Sequence, residues 1–361
     1  MTTRARIEAE ILAWMGEGSW REDESRFDRL ARDLFAFQFS HCDAYGRFCR
    51  GRGVTPERIT RWQDIPPVPT GAFKELALRC FPASRTVKTF RTSGTSGSKR
   101  GELHLDSLAL YEASLLPTLQ RFLLSDWVEG DARITLRALV PSPQEAPDSS
   151  LSHMLGCVIE RFGDGQSGYD VERGVLRTQP LLDQLKGAER PVALCGTAFA
   201  FVHLLQWMAD IELRLELPAG SRIMETGGFK GRATELPREQ LYAALEAAFA
   251  VPQHRIVNQY GMTELGSQFY DSVLTDPLGP RRKQGPPWAR VRIIDPKTGE
   301  PSRPGEVGMM AIHDLANTGS VAAIETADLG RWVEDGFEIM GRAPGAEARG
   351  CSLAADAMFA P

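Results

Sequence analysis

Residues 91–101 combine glycine, hydroxyl and cationic side chains in a pattern suited to binding phosphate. The segment runs Arg-Thr-Ser-Gly-Thr-Ser-Gly-Ser-Lys-Arg-Gly; an apolar–polar alternation at 87–91 predicts a strand before it, and a helical pattern begins near Asp106. A glycine-rich loop between strand and helix exposes backbone N–H groups that can surround a polyphosphate. The candidate phosphate ligands are Thr92, Ser93, Gly94, Thr95, Ser96, Gly97 and Lys99. The segment lacks the Gly-x-x-x-x-Gly-Lys-Ser/Thr spacing of a P-loop, and its composition alone fits a flexible turn equally well.

A second cluster closes a predicted strand at 255–259, in the order Asn-Gln-Tyr-Gly-Met-Thr-Glu over 258–264. Tyr260 and Gly261 sit where a base can stack at the strand end, and Thr263 can bond phosphate. The carboxylate of Glu264 is a hard oxygen ligand that can hold Mg²⁺ beside phosphate. Taken alone, such a glutamate is more often a helix cap or a surface ion-pair partner.

Four further residues, in three segments of the chain, complete the set of candidate site residues. Gly227 and Gly228 directly follow a predicted strand, where a flat base can lie against bare backbone. Asp328 lies in Thr-Ala-Asp-Leu-Gly, which predicts a turn whose carboxylate can accept both hydroxyls of a ribose. Arg342 follows Gly341 and offers a cation for ribose or phosphate.

The elements that must position these residues alternate between strand and helix from 87 to about 260, which predicts a mainly parallel sheet covered by helices. Ligands of such sheets bind beyond the carboxyl ends of the strands. The predicted strands are 87–91, 134–140, 192–195, 222–225 and 255–259, and the predicted helices are 106–124, 151–161, 199–213 and 237–249. Short strands at 290–294, 307–313 and 321–326 predict a β-rich lobe after residue 265. An apolar stripe from Phe27 to Phe48 predicts one long N-terminal helix.

We therefore predict four consecutive segments: a helical N-terminal segment (1–75), an α/β nucleotide-binding core (76–265), a β-rich lobe (266–340) and a short C-terminal tail (341–361).

Composition excludes several classes of protein. A formal net charge of −5 gives no general nucleic-acid surface, and no apolar run approaches the roughly 18 residues of a membrane span. The six cysteines form no Cys-x-x-Cys pair and are too sparse for a disulfide scaffold, so we expect reduced thiols and a cytoplasmic location.

In this order, the clusters resemble the adenylate-forming superfamily of acyl-CoA synthetases and luciferases, over roughly residues 85–352. The closer resemblance is to its acyl-protein synthetases of the LuxE type, through residues 66–75 (Pro-Pro-Val-Pro-Thr-Gly-Ala-Phe-Lys-Glu), Asp314–Asn317 and Glu347–Leu353. The resemblance implies the N-terminal fold of adenylate-forming enzymes, with helix-covered, mainly parallel sheets, a β-rich lobe and the mobile C-terminal domain largely absent.

The resemblance also assigns roles. Residues 92–97 would hold the ATP phosphates, Tyr260 would lie near adenine, Glu264 would bind Mg²⁺, Asp328 would hold the ribose hydroxyls and Arg342 would contact ribose or phosphate. The chain departs from the wider pattern at Ala327, which replaces a glycine, and at 98–100, which lack a proline. Lys230 and Lys99 are the candidates for replacing the lysine of the missing domain.

The implied reaction activates a carboxylic acid, fatty in this family, to an acyl adenylate with ATP. The acyl group then passes to a cysteine near the C-terminus, here Cys351, and on to an NAD(P)H-dependent acyl reductase in a hetero-oligomer. The sequence has no convincing dinucleotide fingerprint of its own. Two alternatives stay open: a compact acyl- or aryl-CoA ligase, and a non-catalytic nucleotide-binding scaffold.

Overall fold

The structure is a computed structural model that describes residues 3–92, 99–126, 133–227 and 237–343. The chain folds into two compact units. The first unit consists of Met1–Pro117, Met262–Gln268 and Gln284–Pro361, and the second of Thr118–Gly261 and Phe269–Lys283. The helical N-terminal residues thus share a unit with the β-rich residues, whereas the four-segment division stays a prediction.

The α-helices of the described residues are α1 (Thr3–Gly16), α2 (Glu24–His41), α3 (Asp43–Gly51), α4 (Ala72–Glu75), α5 (Ala109–Leu123), α6 (Ser150–Phe162), α7 (Thr178–Lys186), α8 (Ala198–Asp210) and α9 (Arg238–Phe249). The strands are β1 (Val68–Pro69), β2 (Lys88–Arg91), β3 (Glu102–Leu105), β4 (Thr135–Pro141), β5 (Gly168–Glu172), β6 (Val175–Leu176), β7 (Val192–Thr197), β8 (Arg222–Thr226), β9 (Ile256–Tyr260), β10 (Phe269–Asp271), β11 (Lys283–Gln284), β12 (Ala289–Ile294), β13 (Gly308–Asp314), β14 (Ala323–Val333) and β15 (Gly336–Arg342).

The second unit is built on a parallel sheet in the order β9-β8-β7-β4-β5, with β10 antiparallel to β9 and β6 antiparallel to β5. Strands β7 and β8 are buried along almost their whole length. Strand β7 is a nearly continuous apolar run, whereas β8 also buries Arg222 and Glu225, each with a hydrogen-bond partner. Leucine and phenylalanine side chains from α7, α8 and α9 pack against these strands in one apolar cluster. The predicted helix-covered parallel sheet is therefore present.

The first unit contains the antiparallel series β12-β13-β14-β15, with β1 parallel to β14, and a separate hairpin of β2 and β3. Trp14 packs edge-on against Trp288 at 6.5 Å, and the Tyr45 hydroxyl donates to the carbonyl of Pro66. These contacts join the N-terminal helices to the β-rich part of the same unit.

Three sequence predictions about local structure are wrong. Strand 87–91 does not begin the parallel series and is not followed directly by a helix: it pairs antiparallel with β3, whose Glu-Leu-His-Leu alternation buries both leucines. The long N-terminal helix breaks at Cys42, which is extended (φ −113°, ψ 94°). Asp328 lies inside strand β14 rather than in a turn, next to a register shift at Leu329/Gly330.

Candidate active site

The described ends of the Ser/Gly loop are fastened to each other at Thr92 and Gly101. The Thr92 amide donates to the Gly101 carbonyl at 2.9 Å, and the Gly101 amide donates to Oγ1 of Thr92 at 2.8 Å. The loop thus leaves and re-enters the β2–β3 hairpin at one point. The candidate ligands Ser93, Gly94, Thr95, Ser96 and Gly97 lie outside the described residues.

Lys99 and Arg100, at the returning end of the loop, have protein partners. Lys99 Nζ lies 2.8 Å from Oε2 of Glu75, and its side chain is 61% exposed. Arg100 Nε donates to the carbonyl of Thr92. An exposed ion pair of this kind contributes roughly 0–1 kcal/mol, so phosphate can compete with Glu75 for Lys99. A phosphate role for Lys99 stays a prediction.

Glu264 is brought to the base of the loop although the two are far apart in the sequence. The residue is buried, and its Oε1 lies 3.5 Å from the position that a Cβ on Gly101 would occupy. The same position is 3.1 Å from Cγ2 of Thr92. Only a glycine leaves this space open, so Gly101 permits the close approach of hairpin and carboxylate. Thr263, the preceding residue, is half-buried.

Asp328 and Arg342 face each other on neighbouring strands. They are register partners across β14 and β15, and Arg342 Nε lies 3.6 Å from Oδ1 of Asp328. The carboxylate is 14% exposed and the guanidinium side chain 62% exposed. The structure therefore brings together the two residues that were predicted separately for ribose and phosphate.

In the second unit, the carboxyl ends of β8 and β9 lie side by side. Thr226 Oγ1 donates to the carbonyl of Gln259 at 3.0 Å. Gly227 has φ +80°, and a Cβ there would meet no atom of the described residues within 4 Å. Tyr260 ends β9 half-buried, with its ring 6.3 Å from that of Phe269. This geometry suits a flat base, and Gly261 continues the chain towards Glu264; Gly228 lies outside the described residues.

Sequence reasoning missed a buried cationic group behind β9. Lys283 is only 3% exposed; its ammonium donates to the carbonyl of Asn258 at 2.9 Å and pairs with Asp271. Burial lowers the pKa of Lys283. Burial alone would raise the pKa of Asp271, but the charges of Lys283 and Arg281 outweigh it and lower that pKa. Because Arg-Arg-Lys at 281–283 has the composition of a solvated run, no local signal places this lysine inside. The Lys283–Asp271 pair thus stabilises strand β9, which ends at Tyr260.

Comparison with known proteins now decides the family. The family described as "Acyl-protein synthetase, LuxE" matches residues 173–360, more than half of the chain. The chain belongs to the acyl-protein synthetase family. A long-chain-fatty-acid–luciferin-component ligase of Aliivibrio fischeri is 26% identical over 323 residues, covering 87% of this chain and 81% of its own. One of Vibrio harveyi is 23% identical over 368 residues, covering 98% and 94%.

Solved structures agree on the fold. 2-Hydroxyisobutyryl-CoA ligase in the postadenylation state has a TM-score of 0.65 at 15% identity, covering 91% of this chain and 70% of that one. ATP-bound MatB from Rhodopseudomonas palustris has a TM-score of 0.51 at 17% identity, covering 74% and 50%. At such identities the likeness establishes the fold alone. The expected family, the α/β adenylate-forming fold and the class of carboxylate-adenylating ligase are confirmed.

Two further features concern a glycine-rich segment and the helices. Residues 163–168 spell Gly-x-Gly-x-x-Gly, but they join helix α6 to strand β5, whereas a dinucleotide fingerprint joins a strand to a helix. In the described part of the chain, no helix has the length and apolar character needed to cross a membrane.

The described cysteines differ in burial. Cys42, Cys49, Cys80 and Cys195 are buried, and burial raises the pKa of Cys49 and that of Cys195 to about 12. Cys157 is half-buried on α6, with Sγ 3.6 Å from Nε2 of His153 one turn earlier. Cys351 lies outside the described residues.

Proposed function

We propose that this protein uses ATP to convert a fatty acid to an acyl adenylate and transfers the acyl group to the thiol of Cys351. The observation that carries the proposal is the approach of the Glu264 carboxylate to Thr92 and Gly101 at the base of the Ser/Gly loop. This approach puts a carboxylate where a metal-bound triphosphate would enter the loop. The names of the Aliivibrio and Vibrio relatives support a long-chain acid as the substrate.

The candidate residues divide by the part of the nucleotide that each would contact. Thr92, with Ser93–Gly97 and Lys99, would hold the phosphates; Asp328 would accept the ribose hydroxyls beside Arg342; and Gly227, Gly228 and Tyr260 would border the base. The Asp328–Arg342 pair supports the second part because a carboxylate held by one cation keeps further acceptor positions for hydroxyl donors.

The site also fits Mg²⁺. The Glu264 carboxylate, near Gly101 at the base of the loop, supplies hard oxygen donors of the kind that Mg²⁺ prefers, with the remaining positions left for water and phosphate oxygens. When bound, Mg²⁺ would offset negative charge on the transferring phosphate. Glu264 would hold the Mg²⁺ ion in position, and Thr263 would donate a hydrogen bond to a phosphate oxygen.

A carboxylate must be activated before its acyl group can be transferred, because direct transfer would require oxide as the leaving group. A carboxylate oxygen attacks the α-phosphorus of ATP, the bond to the β-phosphate oxygen breaks and pyrophosphate leaves. Backbone and hydroxyl donors of the Ser/Gly loop stabilise the charge on the phosphoryl oxygens. The Cys351 thiolate then attacks the acyl carbon and displaces AMP, which gives a thioester.

Two observations support Cys351 as the acyl carrier. Four of the described cysteines are buried, and burial raises the pKa of Cys49 and that of Cys195 to about 12, which makes these two thiols poor nucleophiles at neutral pH. Arg349 and Arg342 are near Cys351 in sequence, and cations lower a thiol pKa. Cys157, which is half-buried beside His153, is the rival that the test must include.

We further propose that an NAD(P)H-dependent acyl reductase forms a complex with this protein and accepts the acyl group. A protein thioester is a suitable hydride acceptor, and residues 163–168 lack the strand-to-helix context of a dinucleotide site. The names of the Aliivibrio and Vibrio relatives include a luciferin component, which is consistent with transfer of the acyl group to a further reaction.

The first experiment measures carboxylate-dependent exchange of pyrophosphate into ATP over a panel of acids. Glu264→Gln is expected to lower the exchange by about tenfold or more, an increase of at least about 1.4 kcal/mol in the barrier. The matched control is Glu102→Gln on strand β3, whose carboxylate pairs with Arg91 at the surface. Wild-type exchange in Glu264→Gln would remove this residue from the mechanism.

The second experiment measures intact mass after incubation with ATP, Mg²⁺ and the preferred acid. Cys351→Ala should keep the exchange but lose a hydroxylamine-sensitive acyl adduct, and Cys157→Ala should keep both. An adduct that survives in Cys351→Ala and disappears in Cys157→Ala would reverse the assignment. Rapid release of acyl-CoA without an adduct would favour a CoA ligase, and ATP binding without any product would favour a scaffold.

A further inference from the structure

The carboxylate of Asp314 is completely buried at the end of β13 and is held by neutral donors. Its Oδ2 accepts from the amides of Gly266 and Ser267 at 2.8 and 2.7 Å. Its Oδ1 accepts from the Ser267 hydroxyl at 2.7 Å and from the Ala316 amide at 3.0 Å. Both oxygens are therefore engaged, and three of the four bonds come from backbone N–H groups, which can only donate.

The same turn also binds the backbone of Glu264 itself. Asn317 Nδ2 donates to the carbonyl oxygen of Glu264 at 2.7 Å. The Asn317 carbonyl accepts in turn from Nε2 of Gln38 at 2.8 Å, and the Asn317 amide donates to the Asp314 carbonyl at 3.1 Å. All of these residues belong to the first unit.

A hydrogen-bond chain extends from Asp314 in one direction. The Trp288 indole donates to the Ser114 hydroxyl at 2.7 Å, and the Ser114 and Ser267 hydroxyls lie 2.9 Å apart. Because the Ser267 hydroxyl donates to Asp314, Ser114 is the donor in the bond between the two hydroxyl groups. The segment 266–267 is thus fixed by hydroxyl, backbone and carboxylate groups together.

Close packing of Gly266 against residues 316–317 also holds this segment in place. A Cβ at Gly266 would lie 2.8 Å from Cβ of Ala316 and 3.1 Å from Oδ1 of Asn317, so the two backbones approach as only glycine allows. Burying a carboxylate without a cation is costly, and an apolar pair of similar shape would be easier to accommodate. The arrangement is therefore explained better by what it positions than by stability.

We propose that Asp314 and Asn317 are positioning residues that fix the Glu264 carbonyl and the amides of the following residues 266–267, and so aim the Glu264 carboxylate at the base of the Ser/Gly loop. The inference rests on the proposed role of Glu264 in holding the metal–nucleotide complex. It assigns a function to a turn, residues 314–317, that contributes no side chain to the reacting groups.

The test uses Asn317→Ala and Asp314→Asn in the full chain, with pyrophosphate exchange measured against Mg²⁺ concentration. Removing a group that orients a metal ligand typically costs 10–100-fold in metal affinity or activity, so we expect half-maximal exchange at about tenfold higher Mg²⁺. The KM for the acid should stay within about twofold, because the two substitutions would change the orientation of the Glu264 carboxylate and not the contacts that bind the acid. Asp106→Asn is the control: this buried carboxylate of the same unit binds Arg4 and Arg85.

A merely structural role predicts a different result, namely a lower thermal unfolding midpoint with an unchanged Mg²⁺ requirement, as expected for Asp106→Asn. If Asp314→Asn does not fold, Asn317→Ala still decides the question. An unchanged Mg²⁺ requirement in folded Asn317→Ala overturns the proposal.

A double variant separates this inference from the proposed function. If Asn317 acts through Glu264, Asn317→Ala should add little in a Glu264→Gln background, and full additivity overturns the proposal. If Glu264→Gln alone leaves exchange and its Mg²⁺ dependence unchanged, the role of Glu264 falls first and the positioning role falls with it.

Discussion

His313 gives the sharpest pH prediction, because it is a neutral imidazole sealed inside the first unit. The side chain is 2% exposed, its Nε2 has no hydrogen-bond partner among the described residues, and its ring packs edge-on against Trp62 at 4.8 Å. Burial, with a smaller contribution from nearby Arg292, lowers the pKa of His313 from 6.5 to about 3. The folded protein therefore resists protonation that the unfolded chain accepts.

The direction of the effect follows from this difference. Above pH 6.5 neither state binds the proton and the contribution to stability is complete; it is lost as the pH falls from 6.5 towards 3. Each pH unit in that window costs about 1.4 kcal/mol, so lowering the pH from 6.5 to 5 removes about 2 kcal/mol of unfolding free energy through this one group.

The assay is urea unfolding at pH 7.5 and pH 5 of the wild type, His313→Leu and a surface control, His254→Leu. Taking the difference between the two pH values within each protein cancels the packing effect of the substitution itself. The loss of stability at pH 5 should be about 2 kcal/mol smaller in His313→Leu than in the other two. Equal losses in all three proteins would refute a buried neutral His313.

Three more outcomes are expected. Asp328→Ala should mainly raise the KM for ATP in the exchange assay, and an unchanged KM would mean that the ribose assignment is wrong. Lys283→Met should lower the free energy of unfolding by about 3 kcal/mol or more, because Asp271 stays buried and loses one of its cations; a smaller loss measured in urea would show that water or Arg281 compensates for it. Gly101→Ala should lower pyrophosphate exchange several-fold with little change in unfolding midpoint, since the new methyl group would lie 3.1 Å from Cγ2 of Thr92 and would shift Thr92 relative to Glu264; undiminished exchange would contradict the close approach.

The parallel sheet was predictable because its signals are local. Strands β7, β8 and β9 lie within one or two residues of their predicted bounds, and so do helices α6 and α9. A buried strand is indicated by a short apolar run, such as the one in β7 or at the start of β9, and a covering helix by an apolar stripe at a period of 3.6 residues. Both patterns are contained in short windows of sequence, and the order of the motifs was enough to indicate the family.

Pairing and burial were decided only by the tertiary structure. The sequence of residues 87–91 predicts a strand but does not say that β3 is its partner, and Asp328 resembles a turn residue until β15 pairs alongside it. Lysine and aspartate are residue types that usually lie at the surface, yet Lys283 and Asp314 are both buried. Lys283 forms an ion pair with Asp271, and Asp314 accepts hydrogen bonds from the amides of 266–267. A charge can leave water only where the fold supplies its partners, and those partners are 12 to 48 positions away in the chain. The residue types at the candidate site were therefore set by the sequence, whereas the approach of Glu264 to Gly101, and the bond from Asn317 to the Glu264 carbonyl, exist only in the folded molecule.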